Sequence, residues 1–154
     1  MLSILGLGYH LPPNEIDNDF LHKEVGLEKG QEWVDSRLGI QKRYSVLNKD
    51  YLLKTKNADP SQGMLHARAQ GLSPVNLGMA AAKKALAHAG IKPEQVGWVI
   101  ANNDTPFETI PSTANLIAKE LGIGAGPHCD VNSACSSFAR HMQLLSDTRE
   151  DRLP

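Results

Sequence analysis

The feature that most constrains this fold is the alanine-rich segment between Ser73 and Gly90. Ser73 can cap a helix N-terminus, Pro74 has the fixed φ that suits the first helical position, and Gly90 can adopt the left-handed conformation that ends a helix. Its small residues predict that this helix packs closely against another element. Strand-like sequence lies on both sides of it. Residues 3–9 are apolar and punctuated by glycine, closed by Pro12-Pro13, and read as a buried strand. Residues 96–101 and 127–131 read as two more strands, separated by a helix with Thr109 as its cap, Pro111 at its start and Gly122 at its end. A final helix begins near Cys135 and runs to about residue 145. This alternation predicts an α/β fold with a parallel or mixed sheet and helices on both faces.

Between the first strand and the alanine-rich helix the pattern is more broken. Residues 18–25 read as a short helix ended by Gly26, and residues 31–38 as a second ended by Gly39. Residues 44–72 are polar and insertion-like, with helical pieces at 49–56 and 62–69 around the Asp59-Pro60 turn. There is no internal repeat. Residues 146–154 are charged and loop-like, and the strand expected after the final helix does not follow. The expectation is one domain, residues 1–154, incomplete at its C-terminal end.

The 154 residues have the length of one domain, and such a chain can bury about 70% of its unfolded surface. With 16 Lys and Arg against 17 Asp and Glu, no basic face is expected, which argues against nucleic acid as a partner. Cys129 and Cys135 cannot form a disulfide framework and lack the paired spacing of a zinc site. The N-terminus has no positively charged leader region, and no apolar run is long enough to span a bilayer. A cytoplasmic location without membrane contact is expected.

Cys135 closes the run Asp130-Val131-Asn132-Ser133-Ala134-Cys135, where strand gives way to helix. A thiol at a helix N-terminus sees unpaired N–H groups and the positive end of the helix dipole, and both favour the nucleophilic thiolate. A buried structural cysteine is the competing reading. Other motifs carry less. Gly6-Leu7-Gly8 is followed by Leu11 instead of a third glycine, which weakens a dinucleotide loop. Asn102-Asn103-Asp104 lies at a strand's C-terminal end but is explained by turn chemistry, and Glu15, Asp17 and Asp19 read as a solvated face. None of the six histidines has metal-ligand spacing; His88 and His141 are expected on helix surfaces, and His128 on the side of its strand away from the cysteine.

Four segments together carry a family resemblance: residues 4–12, the Glu32-Trp33-Val34-Asp35-Ser36-Arg37-Leu38-Gly39-Ile40 run, residues 80–101, and the run ending in Cys135. In order and spacing they resemble the N-terminal part of ketoacyl–acyl-carrier-protein synthase III and its relatives in the thiolase superfamily. The resemblance implies a thiolase-like fold with a mixed, mostly parallel sheet. It implies that Cys135 is the acyl-accepting nucleophile at the start of a buried helix, and that Trp33 and Arg37 hold the adenine end of coenzyme A. It also implies acyl-coenzyme A and acyl carrier protein as partners, a homodimer formed through residues 103–118, and no cofactor beyond the coenzyme A thioester substrate. An indole and a guanidinium four residues apart on one helix face can flank a purine ring; the alternative is a packed tryptophan and a solvated arginine.

The departures are informative. Ile110 stands where many members place a Phe that reaches the partner subunit's acyl pocket, so it marks a substrate pocket of altered shape. Lys29, Gly30 and Gln31 replace the Thr-Ser-Asp that often precedes the tryptophan. The catalytic His and Asn of the family's C-terminal half have no counterpart in this sequence. The leading expectation is a condensing enzyme that loads an acyl group on Cys135 and then condenses it with a malonyl carrier, with this chain alone inactive in the second step. Alternatives are acyl transfer to an oxygen or nitrogen acceptor, and a non-catalytic fragment or partner subunit.

Overall fold

A computed structural model describes residues 2–148. They divide into two compact units, Leu11–Ser73 and the remainder.

Within Leu11–Ser73, β1 (Asn14–Asp17) pairs antiparallel with β2 (Lys42–Ser45), Asn14 opposite Ser45 and Asp17 opposite Lys42. Helix α1 (Gln31–Leu38) follows the sequence reading and ends where Gly39 turns left-handed at φ 67°. Then come α2 (Lys49–Thr55) and α3 (Pro60–Ala69), whose first N–H groups are received by the side chains of Asn48 and Asp59. Ile16, Phe20, Leu47 and Ala67 form the buried apolar centre. The buried Asn18 ties the unit together: its Nδ2 donates to the Ile40 carbonyl (2.6 Å) and its Oδ1 accepts from Arg43 Nη1 (2.6 Å). The helix expected over 18–25 is instead a π-type turn, Phe20–Glu24, because Asp17 Oδ1 takes the Phe20 N–H at 2.7 Å and Val25 N–H bonds the Phe20 carbonyl. The acidic residues behave as a solvated face: Glu15 meets Lys42 at 2.8 Å and Asp19 meets Lys23 at 2.9 Å, with all four side chains 48–67% exposed.

In the other unit, α4 (Pro74–Ala89) occupies the alanine-rich segment. At its end Gly90, at φ 67°, lets its own N–H reach the Ala87 carbonyl (3.3 Å) and the Ile91 N–H reach Leu86 (3.1 Å). These two bonds satisfy carbonyls that a helix end otherwise leaves open. Helix α5 (Thr113–Leu121) ends the same way at Gly122, and α6 (Ser137–Asp147) is the last element described. Strand β3 (Ile100–Ala101) pairs parallel with β4 (Cys129–Asp130), Ile100 beside Cys129. The α/β class holds, with ladders shorter than the apolar runs at 96–101 and 127–131 predict.

Residues 3–9 correct the sequence reading. They form no ladder among the described residues, and Ile4, Leu5, Leu7 and Tyr9 are each 60–74% exposed. Their glycines instead fit the segment onto α4: a Cβ on Gly8 would collide with the Ala81 carbonyl and the Ala85 backbone, and one on Gly6 with the Ala85 carbonyl. The Leu7 N–H donates to His88 Nδ1 (3.1 Å), so His88 fastens this segment. Packing of α4 on α5 uses Gly78 in the same manner, since a Cβ there would stand 2.7 Å from Ile117 Cδ1.

Candidate functional site

The site is best built from the parallel strands, because ligands of open α/β sheets sit beyond the strands' C-terminal ends. β3 runs out into Asn102-Asn103-Asp104 and β4 into the turn that carries Cys135. A hydrogen bond joins the two loops: Asn132 Nδ2 donates to Asp104 Oδ1 at 2.6 Å. Asn132 also accepts the Ala134 N–H through Oδ1 (2.8 Å), which holds Ala134 at φ 48°. That conformation is uncommon for a residue with a Cβ and is sustained here by its surroundings.

Cys135 lies in a 3-10 turn, Ala134–Ser136, directly before α6. Ser137, buried, locks the turn: its Oγ accepts the Ser133 N–H (2.8 Å) and donates to the Ala134 carbonyl (2.8 Å). The thiol itself is exposed, whereas Cys129 is half-buried. The expected burial of the helix is not seen. Ser137 is the buried residue of α6, and Phe138 is 67% exposed, because no described element covers that face. His141 also departs from expectation. It is half-buried, and its Nε2 lies 2.7 Å from the Val131 carbonyl, so it ties α6 back to the end of β4. His128 bonds away from the turn: Nδ1 accepts from the Val99 N–H (3.1 Å), and Nε2 meets the Gly124 carbonyl (2.8 Å).

Asp130 is the functional-region residue that sequence reasoning missed. Its carboxylate accepts the N–H groups of Thr113 and Ala114, both at 2.8 Å, while Ser112 Oγ accepts from Asn115. The cap of α5 is therefore Ser112, not Thr109, since Ser112 is extended and reaches the first turn whereas Thr109 lies three residues upstream. The only local signal was the Ser-x-x-Asn spacing; the acidic partner comes from 16–17 residues further along the chain.

Ile110, joined to Pro111 by a cis peptide bond, is 87% exposed and projects from the loop before α5. A cavity of about 420 Å³ near that loop is lined by Asn103, Thr109, Ser112, His128, Cys129 and Asp130 among others, but not by Ile110 or Cys135. In the Leu11–Ser73 unit, Trp33 is 43% exposed and lines a cavity of about 480 Å³ with Leu21, Leu27, Val34 and Leu38. Arg37, one turn further along α1, is exposed and does not line it. Among the described residues no group of three or more His, Cys, Asp or Glu could hold a metal ion, and no helix is long and apolar enough to cross a membrane.

No protein-family model matches the chain. Among curated proteins it is 34% identical over 144 residues to β-ketoacyl-[acyl-carrier-protein] synthase III of Rhodospirillum centenum, covering 94% of this chain and 37% of that protein. The synthase III of Jannaschia sp. is 30% identical over 134 residues, covering 87% of this chain and 34% of its own length. Among solved structures, 3-oxoacyl-[acyl-carrier-protein] synthase III of Aquifex aeolicus matches with a TM-score of 0.71 and 26% identity, over 93% of this chain and 38% of that one. The chain thus spans little more than a third of the length of the relatives it matches. The fold is the thiolase-like fold of these enzymes.

Proposed function

Because the chain is a relative of β-ketoacyl-[acyl-carrier-protein] synthase III over that protein's N-terminal portion, we propose that it supplies the acyl-accepting half of a condensing enzyme. Cys135 Sγ, as thiolate, attacks the carbonyl carbon of an acyl-coenzyme A thioester. The tetrahedral intermediate collapses, the bond to the coenzyme A sulfur breaks, and the coenzyme A thiolate leaves and takes up a proton. The acyl group remains as a thioester on Cys135. Trp33 and Arg37, an i, i+4 pair on α1, hold the adenine end of the coenzyme.

The observation that carries this reading is the Cys135 turn. An accessible thiol stands at the start of α6, beyond the C-terminal ends of two parallel strands, on a turn fixed by Asn132 and Ser137. Condensation with a malonyl group on acyl carrier protein, with loss of carbon dioxide, is the reaction we assign to the whole enzyme. That step draws on the His and Asn the family carries beyond the portion matched here.

Intact-mass spectrometry after incubation with a panel of acyl-coenzyme A donors tests the first step. One acyl adduct, absent from Cys135→Ala, is expected, and its mass names the preferred primer. No adduct on a chain whose Cys135 still reacts with iodoacetamide would overturn the reading.

A further inference from the structure

Asp104 ends the Asn102-Asn103-Asp104 run, to which the acyl-transfer chemistry gives no role. Its carboxylate accepts from Asn132 Nδ2 at 2.6 Å, across 28 residues of sequence. Each end of this bond is anchored separately. Asn103, half-buried, takes the Thr105 N–H on Oδ1 (3.1 Å) and donates from Nδ2 to Oγ1 of the buried Thr113 (3.4 Å), which fixes the loop that carries Asp104. On the other side His141 holds the Val131 carbonyl at 2.7 Å, next to Asn132. Little chain freedom is left to lose when the two side chains meet, which favours the bond although both residues are exposed.

The consequence lies in which way the Asn132 amide faces. An amide has a donor end and an acceptor end, whereas a carboxylate only accepts. Asp104 therefore draws the NH2 of Asn132 toward itself and leaves Oδ1 for the Ala134 N–H at 2.8 Å. With the amide turned over, the Ala134 N–H would face a second donor. Ala134, at φ 48°, stands in a conformation that a residue with a Cβ keeps only when its surroundings hold it there, and Cys135 follows directly.

We propose that Asp104 is a positioning residue for Cys135: by orienting the Asn132 amide it keeps Ala134 left-handed and so aims the thiol at the acyl carbonyl. The inference rests on the reading of Cys135 as the acyl acceptor. Asp104 acts through Asn132 and touches no reacting atom.

Two readouts on the 154-residue chain test it. One is solvent exchange of the Ala134 amide, followed by NMR. The other is the rate of Cys135 acylation by an acyl-coenzyme A donor, set against the rate of its alkylation by iodoacetamide. Asp104→Ala should speed the exchange and slow acylation severalfold, with alkylation nearly unchanged; Asp104 is exposed, so this variant keeps the fold. Asp104→Asn keeps an acceptor oxygen and should behave like the parent in both readouts, which a role for the negative charge alone would not allow. Asn132→Asp sets two carboxylates against each other and should slow acylation. Adding Asp104→Asn to it restores a donor–acceptor pair and should recover the rate. Unchanged Ala134 exchange in Asp104→Ala, an Asp104→Asn chain as impaired as Asp104→Ala, or no recovery in the double variant would each overturn the proposal. If no donor acylates the parent, the acyl-acceptor reading fails, and the exchange series alone decides whether Asp104 holds the Cys135 turn.

Discussion

The Asp130 carboxylate accepts the backbone N–H of Thr113 at 2.8 Å and, through its other oxygen, that of Ala114. Thr113 and Ala114 are buried, so these two donors have no access to water. One side chain at the end of β4 therefore caps α5 and fixes the place from which the Cys135 turn departs. An acidic group at a helix N-terminus is also favoured by the helix dipole. Asp130→Ala should destabilise the chain by about 2 kcal/mol, the usual scale for stranded buried donors, read as a lower urea midpoint. Asp130→Asn, which keeps one acceptor oxygen, should fall between Asp130→Ala and the parent chain.

Gly8 and Gly78 separate two kinds of close approach. A methyl group at Gly8 meets helix backbone at Ala81 and Ala85, which cannot move aside. Gly8→Ala should detach residues 3–9 from α4 and speed hydrogen exchange at the Leu7 amide, which is held on His88. At Gly78 the obstacle is the tip of the Ile117 side chain, which can turn away. Gly78→Ala should shift the urea midpoint far less than Gly8→Ala, and the reverse order would contradict this packing.

Cys135 and Cys129 differ in exposure, and alkylation should follow it. Iodoacetamide at sub-stoichiometric ratio is expected to label Cys135 first, by peptide mapping, because Cys129 is half-buried in β4. Asn132→Ala removes both the Asp104 bond and the acceptor of the Ala134 N–H. It should lower the yield of acyl-Cys135 severalfold while leaving alkylation by iodoacetamide nearly unchanged, since small reagents do not need a fixed turn.

Among the described residues, the acid limb of stability has one identifiable local contributor. Asp59 accepts from the Ser61 hydroxyl, the Ser61 N–H and the Gln62 N–H at the start of α3. The Ser61 hydroxyl first of all, then the backbone donors, lower its carboxyl below the ordinary aspartate value. A lowered folded value means the stabilisation is fully present above the unfolded value and is lost as pH falls through the folded one. Amide shifts of Ser61 and Gln62 should therefore titrate at a lower pH than free aspartate, and Asp59→Asn should abolish that titration while α3 persists at neutral pH.

Local signals made most helices legible. Gly39, Gly90 and Gly122 end α1, α4 and α5 at the expected positions, because a residue of positive φ stops a helix through bonds spanning a few residues. Pro74 begins α4 for a similarly local reason. The turn that carries Cys135 was legible as well, and the family resemblance agrees with the similarity to synthase III proteins, 30–34% identical over 134–144 residues. Antiparallel pairing of β1 with β2 was not legible. Its partners are 25 or more residues apart, and β2 lies where the sequence is polar.

By itself, the sequence determined where most helices end, the alternation of helix and strand after residue 73 and the presence of a thiol where β4 gives way to α6, since caps, glycine stops and residue types act within a turn or two of the chain. Only the tertiary structure decided that residues 3–9 lie along α4 without a ladder, that Asp130 caps α5, and that Asp104 and Asn132 bind the two loops together. The physical reason is one of range. A capping serine announces itself three residues ahead, whereas a carboxylate satisfying the same helix from another strand is written nowhere near it and gains its role only when the strands pair.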